Sequence, residues 1–216
     1  MTAAAKPLVL WGATGQAIVL AEFVGELGFR VVALFDNDPR VPSPLSGVAI
    51  HPGETFEAWR GEHRGEVFGL VAIGGERGAA RLEVAARLEA AGVVLATVVH
   101  PAAYVARDAE VATGAQILAG AVVGARVRIG RCAILNTRSS IDHECEIGAG
   151  AHIGPGATLA GCVRVGDRAF VGTGAVVLPR IAVAEDAIVG AGAVVTEDVA
   201  RGAVVAGNPA RILRKH

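Results

Sequence analysis

The chain has 216 residues, a formal net charge of −1 and 29 glycines, and is 52% hydrophobic but only 4% aromatic. That length suits one large domain or two modest ones, each able to bury its own core. Its arginines are scattered rather than clustered, which argues against nucleic acid or an acidic membrane surface as partner, and no apolar run approaches the roughly eighteen residues of a membrane span.

The opening segment "MTAAAKPLVLWGATG" carries one lysine and a very short apolar run that ends in glycine, so it reads as a first strand rather than a secretion signal. The three cysteines, Cys132, Cys145 and Cys162, are odd in number and form no CxxC pair. Reduced thiols in a cytoplasmic protein follow, and all three are expected to be small core fillers.

Residues 1–100 alternate strand-like and helix-like segments. Residues 8–11, 31–35, 67–74 and 93–99 are short β-branched runs, as buried parallel strands are. Leu20, Phe23, Val24 and Leu27 mark one face of a helix that stops near Gly28, and a second helix is expected over 78–91. This order predicts a small Rossmann-like α/β domain. Its first turn, "GATGQA", spans Gly12 to Ala17 and would let a phosphate or sugar approach a helix N-terminus. The dinucleotide fingerprint G-x-G-x-x-G is not met, because Thr14 and Ala17 stand in two of its places. NAD is therefore not expected, although Asp36 ends the second strand where a ribose-binding acid could lie.

Residues 101–216 follow a different period. From Val105, every sixth residue through Val195 is aliphatic, sixteen positions without a break. Four residues after each comes a small or β-branched residue, and glycine is frequent immediately after it. A six-residue period fits a hexapeptide β-solenoid: three hexads close one triangular rung, aliphatic side chains stack inside, and glycine permits the corners. Sixteen hexads make about five rungs, a prism about 25 Å tall at roughly 4.8 Å per rung.

Within this apolar tract lies "SSIDHECEIGAGAHIG", residues 139–154. His143 is the third residue of its hexad and so points away from the core, with Asp142 and Glu144 beside it at a corner; Cys145 takes the inward slot. His152 lies half a rung further on, so the two histidines meet only if a second copy of the chain brings a corner against a face. A histidine near neutral pKa suits the deprotonation of an amine or hydroxyl that attacks a thioester, a carboxylate on its other nitrogen would fix the tautomer, and backbone donors would stabilise the oxyanion.

On the repeat and on "ILNT…HEC…H", the chain resembles the hexapeptide-repeat, left-handed β-helix acetyltransferases of the PglD/NeuD sugar O/N-acetyltransferase type, over nearly its whole length. The resemblance implies the left-handed coil, a homotrimer with active sites between subunits, acetyl-CoA as co-substrate, no metal and no membrane insertion. It implies a sugar-nucleotide domain over 1–100 and an acetyltransferase domain with a C-terminal tail over 101–216. It carries the general base to His143 and its partner to Glu144, the acetyl site to Asn136 and His152, and the pantetheine contacts to Gly161, Thr173 and Ala191. Substrate contacts fall on Gly12, Thr14, Gly15, Gln16, Asp36 and Asn37, with Gly74 in a second turn, "AIGGER". Gln16 replaces the family's histidine in the first turn.

Plainer readings stand beside these. Asn136 could equally satisfy turn backbone, His152 could hydrogen-bond a carbonyl, and Arg211, Arg214 and Lys215 could meet CoA phosphates or form a bare basic tail. The activity implied is acetyl transfer to the amino group of a nucleotide-linked amino sugar. Alternatives are sialic-acid-type O-acetylation, a zinc enzyme like the γ-type carbonic anhydrases, for which three well-placed ligands are hard to find, and a non-catalytic sugar-nucleotide sensor.

Overall fold

The computed structural model of the chain describes residues 4–38 and 40–215, the side chains of 214 and 215 excepted. It divides into two compact units, Met1–Ile73 with Glu83–Val98, and Gly74–Leu82 with Val99–His216. The division is thus not a single cut, since a nine-residue segment from the first hundred counts with the solenoid.

In the first unit, strands β1 (Lys6–Trp11), β2 (Phe29–Asp36), β3 (Ile50–Pro52), β4 (Phe68–Val71) and β5 (Val94–Leu95) form one parallel sheet in the order β3-β2-β1-β4-β5. Helix α1 (Gly15–Phe23) follows β1, α2 (Phe56–Glu62) precedes β4, and α3 (Gly78–Ala90), whose residues 78–82 count with the second unit, precedes β5. Strand order reverses beside β1, which puts the Gly12 turn at the switch point where open parallel sheets bind ligands. The connection between β2 and β3 carries no helix, so the doubly wound pattern holds in strand order but not in every crossover. Helix α1 also ends earlier than its apolar spacing suggests, because residues 24–28 close as turns with Gly28 at φ +81°.

Aromatic poverty describes only the solenoid. Seven of the nine aromatic residues lie in the first unit, where Phe35 contacts Trp11, Phe56 and Trp59 with centroids 5.0–5.7 Å apart.

In the second unit, two-residue strands repeat every six residues and pair in parallel with strands eighteen residues away, as in Val123↔Ile141↔Leu159↔Val177↔Val195. A long run of such strands fits a left-handed β-helix. The second residue of each strand points inward, and from Ile117 onward every one is buried. The residue before it points outward, giving three faces. One carries Tyr104, Val122, Ser140, Thr158, Val176 and Val194; the next carries Glu110, Arg128, Glu146, Arg164 and Ala182; the third carries Gln116, Ile134, His152, Phe170 and Ile188. At the C-terminal end, Ala203–Ala206 adds a last parallel strand and Arg211–Lys215 turns back antiparallel against it.

Two backbone demands shape each corner. From Gly114 to Gly192 every sixth residue has positive φ, and eight of these fourteen are not glycine: Arg126, Cys132, Arg138, Glu144, Cys162, Arg168, Arg180 and Asp186. Each costs about 1–2 kcal/mol relative to right-handed backbone, against about 1.5–3 kcal/mol gained per fully buried aliphatic side chain. The glycines just after the inward aliphatics answer a steric demand instead. A Cβ on Gly148 would stand 2.4 Å from the amide nitrogen of Asp167 in the next rung. Gly174, by contrast, has φ +65° and open space around it.

Gly148→Val should therefore lower stability by about 1–3 kcal/mol, as overpacking does, whereas Gly174→Asn should stay within about 1 kcal/mol because asparagine tolerates left-handed backbone. Equilibrium urea unfolding of the two variants checks this; equal losses would refute the separation of roles.

Candidate active site at a solenoid corner

Eighteen-residue stacking assembles the corner that follows the Tyr104 face. His143 and Gly161 occupy one column, and Arg126, Glu144 and Cys162 the adjoining left-handed one. The Cys162 N–H donates to the His143 carbonyl at 2.9 Å, and the His143 N–H donates to Asp142 Oδ1 at 2.7 Å. The imidazole lies over Gly161, where a Cβ would stand 2.5 Å from Nε2. Only glycine leaves the ring its place.

His143 Nδ1 lies 3.1 Å from Glu144 Oε2, and Arg126 Nη2 lies 3.4 Å from Glu144 Oε1. With Nδ1–H donating to the carboxylate, Nε2 is left as the ring's acceptor. The side chains of His143 and Glu144 are 52% and 42% exposed, so the pair adds about 0–1 kcal/mol to stability. Its effect is orientation.

His152 sits elsewhere, on the third face, and is 4% exposed. Its Nδ1 donates to the Gly75 carbonyl at 3.2 Å, and Asn136 Nδ2 donates to its Nε2 at 3.0 Å. Asn136 Oδ1 also accepts the Thr137 N–H at 2.7 Å, so the plain structural readings of both residues hold alongside any further role. Burial, and then the Arg81 cation, push His152 down to about 4. Arg81 is fully buried and fastens Gly74–Leu82 to the prism, donating to Gly75 O at 3.1 Å and to Gly150 O at 2.5 Å.

Gly161 thus shares the His143 corner, while Thr173 and Ala191 stack one rung apart, both exposed, at the corner after the His152 face. In the first unit, Gly12 has φ +107° and a Cβ there would lie 2.4 Å from the Ala72 carbonyl oxygen, a structural need independent of ligand. Thr14 precedes α1 without a side-chain cap, Gly15 has open space above it, and Gln16 is half-buried. Asp36 accepts N–H groups from Ala13 (2.8 Å) and Asp38 (3.0 Å). Asn37 lines a cavity of about 460 Å³ with Pro52, Gly53, Glu54 and Arg87. Gly74 belongs to the other unit.

Cys145 is a core filler, with its thiol pushed up to about 11 by burial. Cys132 is buried too, at a left-handed corner. Cys162 is the exception: at φ +61° it stands on the corner beside Glu144, its Sγ 3.9 Å from Oε2. Cys162 and Arg126 escape a reading by motif, yet both are eighteen residues from Glu144 and that spacing alone finds them. Arg87 has no such signal. The C-terminal residues form a strand rather than a bare tail; Arg211 donates to the Ala210 carbonyl at 2.8 Å, and the side chains of Arg214 and Lys215 lie outside the described residues.

His152 is neutral in the fold and takes a proton more readily when unfolded, where its ordinary value is 6.5. The stability this contributes is full above pH 6.5 and is lost as pH falls toward about 4, up to roughly 3 kcal/mol. His152→Gln should flatten the decline of urea stability between pH 7 and 4.5; an unchanged slope would contradict it.

No protein-family profile matches the chain. Solved structures do. A mutant of perosamine N-acetyltransferase from Caulobacter crescentus, in complex with CoA and GDP-perosamine, is 32% identical over 97% of each chain with a TM-score of 0.89. The acetyltransferase domain of PglB from Neisseria gonorrhoeae, in complex with acetyl coenzyme A, is 31% identical, covering 96% of this chain and 99% of that one, TM-score 0.85. WeeI from Acinetobacter baumannii is 26% identical over 96% of this chain and all of its own, TM-score 0.86. Likeness of this extent, with the unbroken hexad register and the corner histidine, establishes that the chain belongs to the hexapeptide-repeat sugar N-acetyltransferases of the PglD/NeuD type.

Proposed function

We propose that the chain transfers an acetyl group from acetyl-CoA to the amino group of a nucleotide-linked amino sugar, with His143 as general base. The observation that carries this reading is the His143–Glu144 pair held over Gly161, in a chain that aligns end to end with an enzyme bound to CoA and GDP-perosamine.

The amine attacks the thioester carbon, and its proton passes to His143 Nε2 while Glu144 steadies the imidazolium through Nδ1. The C–N bond forms first; when the tetrahedral state collapses, the C–S bond breaks and the departing CoA sulfur takes the proton from the imidazolium. In the tetrahedral state, negative charge gathers on the former carbonyl oxygen, and the Gly161 backbone N–H is the donor proposed for it. Thr173, Ala191, Asn136 and His152 complete the acetyl-CoA site when a neighbouring copy places its own corner beside the His143 corner.

That assembly, a homotrimer, is supported by the character of the faces. The face with Tyr104, 62% exposed, and Val122, 42% exposed, presents apolar side chains outward. The next face exposes Glu110, Arg128, Glu146 and Arg164 in alternation, a solvated ladder that includes an Arg128–Glu146 ion pair.

The first unit is read as a Rossmann-like sugar-nucleotide domain. Gly12, Thr14, Gly15 and Gln16 would meet the phosphates and sugar, with Asp36 and Asn37 toward the nucleoside. Arg87 joins Asn37 in the same cavity and adds donors for a nucleobase or ribose. No helix among the described residues is long and apolar enough to cross a membrane.

His143→Ala should cut turnover by about 10²–10⁴ with little change in folding. Gly161→Ala should fold and yet lose about tenfold to a hundredfold, because displacing a reacting group by about 1 Å carries that order of cost. Thiol release from acetyl-CoA, with GDP- and UDP-linked amino sugars and free sialic acid as separate acceptors, checks both. Wild-type turnover in His143→Ala would remove the mechanism, and transfer to sialic acid alone would replace amine by hydroxyl chemistry.

A further inference from the structure

Cys162 has no part in the acetyl transfer described above, yet its thiol shares the corner with His143 and Glu144. One donor atom from each of the three lies within 4.8 Å of the others. The arrangement comes from the backbone. Glu144 (φ +57°) and Cys162 (φ +61°) hold equivalent left-handed positions one rung apart, so both side chains leave the prism in the same direction. The Cys162 N–H bond to the His143 carbonyl ties the rungs together at that point.

We propose that His143, Glu144 and Cys162 form a binding site for one thiophilic divalent cation, zinc above all, and that its occupancy switches the enzyme off. A tetrahedral zinc ion with ligand bonds of about 2.0–2.3 Å holds its donors about 3.3–3.8 Å apart. Nδ1 and Oε2 are 3.1 Å apart and Sγ and Oε2 are 3.9 Å apart, and the imidazole and thiol donors lie within 4.8 Å of each other, so side-chain rotation of up to about an ångström closes the triad on one ion. Imidazole, carboxylate and thiolate together suit zinc, and the thiol excludes magnesium and calcium as preferred occupants. Three protein donors leave a fourth position for water, and His143, Glu144 and Cys162 all retain solvent access.

Binding releases one proton and relocates another. The Cys162 thiol releases its proton to solvent as sulfur bonds to the metal. The metal takes the Nδ1 lone pair and breaks the bond to Glu144, so the one remaining ring proton resides on Nε2. An imidazole in that state cannot accept the proton of an attacking amine. This inhibition, unlike the binding, rests on His143 being the base.

The test uses the full chain freed of metal by chelation and titrated with cobalt(II), whose thiolate charge-transfer and tetrahedral d–d bands report the ligand set, then with zinc in competition. The expected result is a band that saturates near one equivalent, is abolished in Cys162→Ser and is displaced by zinc. Cys162→Gly serves as a second variant, because glycine fills equivalent corners such as Gly156 and Gly174 and preserves the fold. Zinc should inhibit acetyl transfer by wild type at least tenfold more strongly than by either variant. No band, or the same band in both variants, overturns the site. A Cys162-dependent band alongside undiminished transfer in zinc-loaded enzyme overturns the inhibition, and His143 as base with it, while the binding stands.

Discussion

Closure of each rung in eighteen residues governs the solenoid. Once Val123 lies under Ile141 and Ile141 under Leu159, every outward side chain has a fixed neighbour one rung above and below. Position in sequence becomes position in space by simple addition, and a cluster of side chains at a corner needs no long-range loop to gather its parts. Arg126, Glu144 and Cys162 meet because they differ by eighteen. His143 finds room over Gly161 for the same reason.

That constraint also explains what could be read in advance. The inward row was visible because burial demands aliphatic residues and nothing interrupts them, and the corner position of His143 followed from counting within a hexad. Left-handed corners were harder to see. Glycine advertises positive φ, but arginine, glutamate and cysteine at the same angle do not, so Cys162 looked like filler and nothing singled out Arg126. The frequent glycines misled in the opposite direction, since many answer close rung-to-rung contact rather than φ. In the first unit, the seven-residue α2 was missed because "FEAWRGE" is too short and too polar to show a period, and the helix-free connection after β2 leaves no pattern to detect.

Two solenoid histidines, His143 and His152, show how the fold gives one residue type two environments. His143 sits half in water, its ring oriented by a carboxylate and open at Nε2. His152 is enclosed, with both nitrogens engaged and a buried guanidinium nearby, and is held neutral far below its ordinary range. Distance from the core, rather than any difference in side chain, separates the two.

A column of parallel rungs has, in principle, no natural end: each terminal strand offers the next copy a template of unpaired amides and carbonyls. In this chain the last parallel strand, Ala203–Ala206, is met by Arg211–Lys215 running the other way. The reversed strand occupies the ladder that another prism's first rung would need, and it does so out of register with a six-residue repeat. On that one face, the edge that a further copy would extend is already taken.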